Sequence, residues 1–183
     1  AGLYDEVSRF AQALRAAGIA AGDRVAGYMP NMSETIIAML AASSLGAIWS
    51  SASPDFGVQG VLDRFGQIEP KVLVAVDGYY YNGKTIDCLA KIREVQPQLP
   101  SLVKTVIVPF VNAAPDLSPF KDTVTLADFT APFAARDIAF HRGEFNHPLF
   151  IMFSSGTTGA PKCIVHGQGG TLLQHLKEHW LHC

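Results

Sequence analysis

Short runs of uninterrupted apolar residues recur along this chain and constrain its fold more than any other feature. Residues 72–76 are Val-Leu-Val-Ala-Val, and residues 149–153 are Leu-Phe-Ile-Met-Phe. A strand with one solvent face alternates polar and apolar residues, whereas a strand covered on both faces is apolar throughout. We therefore predict an α/β fold with an open, mainly parallel sheet and helices on both faces.

Segments of helical periodicity separate these strands. Apolar residues at helical spacing between Leu3 and Leu14 predict an amphipathic helix over 3–17. The other helices predicted before residue 111 lie between Asn31 and Gly46, at about 57–67 and at about 84–95. The other strands predicted there are 24–29, 47–51 and 103–108.

The helix between Asn31 and Gly46 is predicted from its two ends. Asn31 precedes Glu34 by three residues, which is the spacing of a capping box. Gly46 is suited to end the helix because glycine adopts left-handed backbone conformations at no steric cost. The face that we expect to be buried carries Ile36, Ile37 and Leu40.

We divide the chain into three parts. Residues 1–111 are predicted as an α/β subdomain of alternating helices and strands. Residues 112–148 contain four prolines and few apolar runs, which predicts an irregular connector. Residues 149–183 are predicted as a strand, a loop, a returning strand at 163–166 and a helix at 171–181.

The composition excludes several classes of protein. A chain of 183 residues that is 49% hydrophobic can bury a sizeable core. Its net charge is -2 and no basic stripe is present, so a nucleic-acid partner is not expected. Three cysteines without a Cys-x-x-Cys pair argue against a disulfide scaffold and predict a reducing compartment, the cytoplasm.

A membrane span has to be considered for residues 35–54, which carry no charged side chain. This stretch contains several serines, and its periodicity changes at Gly46. A buried helix followed by a buried strand accounts for both properties, so we predict no membrane span.

The loop after the last apolar strand carries the residues that predict ligand binding. Residues 154–162 are Ser-Ser-Gly-Thr-Thr-Gly-Ala-Pro-Lys. Glycines let a backbone turn its N–H groups towards an anion, hydroxyls add neutral donors, and a lysine adds positive charge. The predicted phosphate ligands are Ser154, Ser155, Gly156, Thr157, Thr158, Gly159 and Lys162.

Two alternatives bear on this loop. Serine, threonine and glycine are ordinary loop residues, so a polar hairpin loop without a ligand is the structural alternative. A Walker loop opens a helix at its Gly-Lys-Ser/Thr end. Pro161 prevents such a direct continuation as a helix, so we expect a polyphosphate to be held in a different manner.

The ordered string at 154–162 resembles the phosphate-binding signature of the adenylate-forming enzymes, which include acyl-CoA synthetases, luciferases and peptide-synthetase adenylation domains. Within that superfamily, three further regions resemble the acetoacetyl-CoA synthetases and differ from the acetate-specific enzymes. These regions are 53–57 with 61–65, 81–84, and 162–167 with 169–179. The resemblance covers essentially the whole chain, but only the early part of such an enzyme.

The resemblance implies a ligase that works in two steps. The carboxylate of acetoacetate attacks the α-phosphate of ATP, which gives acetoacetyl-AMP and pyrophosphate, and the thiolate of CoA then displaces AMP. The implied small molecules are ATP with Mg²⁺, acetoacetate and CoA. An acetyl- or propionyl-CoA synthetase and a non-catalytic nucleotide-binding module remain alternatives.

The resemblance also implies that this chain is a fragment. The carboxylate for Mg²⁺, the acyl pocket and the C-terminal domain with its adenylation lysine are expected downstream, so we predict no catalytic residue here and no activity of the fragment alone. A sheet cut before its remaining strands exposes an edge, which predicts self-association.

For CoA, the resemblance implies contacts near Ser53, Phe56 and Lys84. The arginine that the acetate-specific enzymes carry before Gly-Lys is replaced here by Tyr81-Asn82, so only Lys84 is carried over from that stretch. A solvated lysine at the start of a helix is the alternative for Lys84.

Three other features of the sequence have residues that occur in metal-binding or catalytic sites. His175 and His179 fit a His-x-x-Glu-His zinc pattern, but we expect no metal site, since Leu172, Leu173 and Leu176 indicate a packing helix. Cys163 is predicted to be a small core residue of a buried strand. His166 ends that strand and is expected to face the substrate side of the loop.

Overall fold

The computed structural model describes residues 2–154 and 159–183. The helices are α1 Leu3–Ala16, α2 Ser33–Ser44, α3 Val58–Ile68, α4 Leu89–Val95, α5 Leu126–Thr130 and α6 Gln168–Leu181, with a short 3₁₀ turn at Gln96–Gln98. The strands are β1 Arg24–Tyr28, β2 Ile48–Ala52, β3 Val72–Val76, β4 Gly78–Tyr81, β5 Lys84–Asp87, β6 Lys104–Val108, β7 Thr123–Thr125, β8 Pro148–Ser154 and β9 Lys162–Gly167.

Seven of the described strands form one sheet in the order β7-β6-β3-β1-β2-β8-β9. All neighbouring pairs are parallel except β8 with β9, which run antiparallel. Strands β4 and β5 form a separate antiparallel hairpin. The predicted α/β class and the mainly parallel sheet are thus confirmed.

The connections place helices on both faces of this sheet. The chain moves from β1 to β2 in one direction through α2, and from β2 to β3 and on to β6 in the other direction through α3 and α4. Because parallel crossovers are right-handed, α2 lies on one face and α3 and α4 on the other. The packing agrees, since α1 contacts α2 and α5, whereas α3 contacts α4.

The core lies along the central strands. Every residue of β3 is buried, as the uninterrupted apolar run at 72–76 predicts. The largest fully buried side chains include Tyr28, Phe10, Phe65, Leu14, Leu73 and Ile92.

The buried face of α2 differs from the prediction. Ile37 is partly buried and packs against the core as predicted, but Ile36 and Leu40 are exposed at 40% and 36%. The fully buried residues of α2 are instead small, namely Ala38, Ala41 and Ala42, because small side chains let a helix lie close to its neighbours. The predicted Asn31 cap is also wrong, since Met32 is the N-cap residue and no side chain caps α2.

A hairpin replaces the first half of the helix predicted at 84–95. Residues 84–87 pair with 78–81, and only Leu89–Val95 is helical. Asn82 and Gly83 both have positive φ, 48° and 72°, as the two central residues of a tight hairpin turn require. The Asn82-Gly83 pair is a hairpin-turn signal in the sequence that the prediction of a helix overlooked.

The connector predicted at 112–148 is not irregular throughout. Strand β7 extends the sheet beside β6, and α5 follows it directly. Helix α5 begins there because the Thr125 hydroxyl accepts a hydrogen bond from the Asp128 N–H.

The uncharged residues 35–54 form most of α2, a turn and β2. No helix in the described part of the chain is long and apolar enough to cross a bilayer.

Gly46 ends α2 as predicted, and its surroundings make it hard to replace. Its φ is +73°, and a Cβ at this position would lie 2.4 Å from a ring carbon of His141. The Gly46 carbonyl also accepts hydrogen bonds from the Gly22 N–H and the His147 ring.

We expect Gly46→Ala to lower the free energy of unfolding by about 1–3 kcal/mol for the backbone conformation, with a further loss from displacing His141. Chemical denaturation measures this. Gly66→Ala is the matched control, since Gly66 lies in α3 with no atom near its Cβ position and helix propensity favours alanine. Equal stability of Gly46→Ala and the parent contradicts the expectation.

Candidate functional site

The β8–β9 hairpin frames the predicted phosphate loop. Its register pairs Phe153 with Cys163 and Ser154 with Lys162, so Ser154 and Lys162 are the last paired residues before the loop. The Ser50 hydroxyl on β2 donates to the Ile151 carbonyl at 2.7 Å and joins the hairpin to the parallel sheet. The loop therefore leaves the carboxyl end of β8, at the edge of an open sheet where α/β proteins bind ligands.

The seven predicted phosphate ligands divide into two groups. Ser154 is half-buried at the end of β8, Gly159 has a φ of +110°, and Lys162 is exposed at the start of β9. The other four, Ser155, Gly156, Thr157 and Thr158, lie outside the described residues.

A cleft of about 940 Å³ opens beside this hairpin and is lined by residues of β2, β8, β9 and α6 and of the segment after β2. Its lining includes Ser53, Phe56, Arg64, Phe153 and His166. Two of the predicted CoA contacts, Ser53 and Phe56, thus share one cavity with His166 from β9. Lys84 is not among the lining residues.

The segment at 53–57 is held in place by side chains from three other elements. The Tyr28 hydroxyl lies 2.9 Å from the Pro54 carbonyl and 2.6 Å from the Phe56 carbonyl, and Lys91 donates to Pro54 at 2.8 Å. The Tyr79 hydroxyl donates to the Asp55 carboxylate, which also accepts from Ser53 at 2.9 Å. These contacts fix the backbone that carries Ser53 and Phe56 before any ligand arrives.

Tyr28, Tyr79 and Lys91 were missed by the sequence reasoning. No local signal could have found them, because they lie between 24 and 37 residues from the positions that they contact.

The surroundings of the 53–57 segment shift the pKa values of three side chains. Donation to Asp55 raises the pKa of Tyr79 to about 12, with burial as a smaller cause. Burial raises the pKa of Tyr28, and the Tyr79 hydrogen bond holds the pKa of Asp55 below its usual value.

The Phe56 ring is fixed at the cleft wall by Arg64. The guanidinium carbon lies 4.0 Å from the ring centroid, and Nη1 donates to the Gly60 carbonyl at 2.7 Å. Such a cation–π contact is attractive by about 0.5–1 kcal/mol at an exposed site. The aromatic wall of the cleft is therefore positioned by α3.

The β4–β5 hairpin carries Lys84 and two exposed tyrosines. Lys84 pairs with Tyr81, and both side chains are exposed. Lys84 therefore lies in a strand and not at the start of a helix, which corrects the structural alternative. Its role towards CoA stays a prediction.

Two predictions about burial at this end of the chain are wrong. Cys163 is exposed, and its thiol donates to Gln67 at 3.5 Å. Leu172, Leu173 and Leu176 of α6 are each more than half exposed, and Met152 of β8 is 57% exposed. The reason is position: β9 is the edge strand, and no described element covers the outer face of α6.

His175 and His179 lie in α6. Among residues 2–154 and 159–183, no group of three or more His, Cys, Asp or Glu side chains lies close enough together to hold a metal ion.

The comparisons with known proteins agree with the fold and with the family resemblance. The family model described as AMP-binding enzyme matches residues 1–183, so the chain belongs to the AMP-binding enzyme family. Acetoacetyl-coenzyme A synthetase of Rhizobium meliloti is 62% identical over 178 residues, and acetoacetyl-CoA synthetase of Macaca fascicularis is 54% identical over 185 residues. The resemblance found in the sequence is thus confirmed.

A solved structure gives the same result. Acetoacetyl-CoA synthetase from Streptomyces lividans matches with a TM-score of 0.91 at 43% identity over 99% of this chain. The two sequence matches include 97% and 98% of this chain. The chain spans only 27% and 28% of the length of those relatives, and 27% of the solved chain.

The contact between Tyr79 and Asp55 predicts a pH effect. We expect Asp55→Asn to lower the pKa of Tyr79 from about 12 towards its ordinary value of 10.0, because the charged acceptor that stabilises the protonated phenol is lost. Tyrosinate absorbance against pH measures this, with circular dichroism to verify that the fold persists. Tyr79→Phe identifies the affected transition, and an unshifted Tyr79 midpoint in Asp55→Asn contradicts the expectation.

Proposed function

We propose that this chain supplies the ATP phosphate-binding portion of an acetoacetate–CoA ligase. The reaction converts ATP, acetoacetate and CoA to AMP, pyrophosphate and acetoacetyl-CoA through an acyl-adenylate. The observation that carries the proposal is the β8–β9 hairpin, whose last pair, Ser154 and Lys162, brackets the phosphate-binding signature at the carboxyl edge of the sheet. The acetoacetyl-CoA synthetases among the relatives support the choice of substrate.

The proposed chemistry of the loop is electrostatic. Lys162 supplies a positive charge to the β- and γ-phosphate oxygens, and Ser154 supplies a neutral donor. Gly159 has the left-handed backbone that lets N–H groups converge on an anion. Ser155, Gly156, Thr157 and Thr158 keep their proposed role as phosphate ligands. These residues bind and orient the nucleotide and transfer no proton, so the loop lowers the barrier by positioning and charge stabilisation.

Mg²⁺ is proposed to arrive with ATP. The described residues offer no cluster of metal-binding side chains, so we assign none of them to the ion. For CoA, Ser53 and Phe56 are proposed contacts because both line the cleft beside the hairpin. Lys84, on the β4–β5 hairpin, is also proposed as a CoA contact.

Two further proposals concern the surroundings of the protein. A cytoplasmic location is supported by three free cysteines, of which Cys163 and Cys183 are exposed. Self-association is supported by β9, an edge strand whose Ile164 and Val165 are 44% and 57% exposed.

The experiment that tests the function is ATP-dependent pyrophosphate release with acetoacetate and acetate compared. It is run on the 183-residue chain and on the uninterrupted product of the same gene. We expect release by the longer product only, with acetoacetate preferred. Preference for acetate would move the substrate to the acetyl- or propionyl-CoA synthetases, and no release with either acid would favour a non-catalytic nucleotide-binding module.

Lys162→Ala tests the loop itself. We expect kcat/KM for ATP to fall about ten- to hundred-fold in the longer product, since a charge-assisted contact is worth about 1.5–3 kcal/mol. Lys177→Ala is the control because it removes an equal charge from α6, where Lys177 pairs with Glu178 at 3.1 Å. Equal effects of the two substitutions would mean that net charge and not the loop is responsible.

A further inference from the structure

We propose that Gln67 of α3 is a positioning residue for the phosphate-binding loop. The inference rests on the proposed function, since it concerns how the same loop is held. Gln67 is 94 and 96 residues away in the chain from the two positions that it contacts, so no local pattern points to it.

The Gln67 side chain bridges α3 to both neighbours of Lys162. Its amide nitrogen donates to the Pro161 carbonyl at 2.8 Å, and its amide oxygen accepts from the Cys163 thiol at 3.5 Å. The same nitrogen donates to the Asp63 carbonyl, one turn back along α3, at 2.5 Å. All three polar contacts of the amide thus act together to hold one rotamer against the hairpin.

This bridge lies where the hairpin ladder gives no support. The β8–β9 pairing ends at Ser154 and Lys162, so Pro161 is the first residue beyond it. Proline has no N–H, which leaves its carbonyl as the only backbone group by which this residue can be anchored. The Gln67 amide supplies that anchor at the exit of the loop.

The bridge also fixes the direction of Lys162. Successive side chains of a strand point to opposite faces, so the face that carries Cys163 is opposite to the face that carries Lys162. Because Gln67 holds Cys163 towards α3, Lys162 is directed to the other face of β9. A slip of one residue would exchange the two side chains and turn the positive charge away from its place.

The test compares Gln67→Leu with Gln59→Leu in the uninterrupted gene product. Both residues are exposed glutamines of α3, but within the described part of the chain the Gln59 side chain hydrogen-bonds to Asp63 of its own helix, at 2.6 Å, and not to the hairpin. We expect Gln67→Leu to slow single-turnover pyrophosphate formation without CoA, and to raise KM for ATP, by about five-fold in total, as the loss of solvent-exposed hydrogen bonds implies. KM for CoA should stay unchanged, and Gln59→Leu should match the parent in all of these values.

Substitutions at Cys163 test the same bridge without changing a residue of α3. Cys163→Ser retains a donor for the Gln67 oxygen and should behave as the parent, whereas Cys163→Ala removes the donor and should show part of the Gln67→Leu defect. The effects of Gln67→Leu and Cys163→Ala should be non-additive in the double variant, because both break the same bridge.

The outcomes are distinct. Unchanged ATP parameters in Gln67→Leu overturn the proposal, as does a loss of thermal stability with equal changes in the ATP and CoA parameters, which would indicate a purely structural role. Equal defects in Cys163→Ser and Cys163→Ala overturn the thiol part of the bridge. If the unsubstituted product forms no pyrophosphate, the proposed function fails, and that failure is seen in the parent before any variant is compared.

Discussion

Burial of the central strands on both faces is the constraint on which the rest of this structure depends. A strand such as β3, in which all residues are buried, leaves room for a polar side chain only where that group is hydrogen-bonded, as Ser50 of β2 is to the Ile151 carbonyl. Asp77 illustrates this immediately after β3. This residue is 2% exposed, and its carboxylate accepts hydrogen bonds from the N–H groups of Phe110, Val111 and Asn112, which anchors the chain after β6. The 53–57 segment and the β8–β9 loop, which carry the proposed ligands, follow directly after the ends of β2 and β8.

The sequence predicted those parts of the fold that depend on local pattern. The apolar run at 72–76 matched β3 residue for residue, and the returning strand at 163–166 lies within β9. Two errors arose because hydrophobic periodicity does not report what lies beside a helix. In α2 the neighbouring elements come close enough that alanines face the core and Ile36 is exposed, and in α6 the leucines predicted to pack are exposed because no described element covers them. The third error, the missing β4–β5 hairpin, arose because the Asn82-Gly83 pair was not recognised as a turn signal.

The site could be predicted only in part for a related reason. The string at 154–162 is contiguous, so its chemistry and its family resemblance could be recognised directly. The residues that hold the surroundings of the loop, namely Tyr28, Tyr79, Lys91 and Gln67, are brought there by the sheet from distant parts of the chain. Each of them contacts backbone or a side chain that is itself next to a proposed ligand. Long-range contacts of this kind depend on how whole helices and strands pack together, and the sequence around a single residue does not indicate that packing.

The central claim is that the segment between β8 and β9 binds the phosphates of ATP. Hydrogen–deuterium exchange of the uninterrupted gene product, with and without saturating MgATP, tests it most directly. The account predicts that peptides covering residues 149–167 become protected by MgATP, whereas peptides covering α1, on the face opposite to α3, do not. Protection that is absent from 149–167 while ATP is bound would contradict the account.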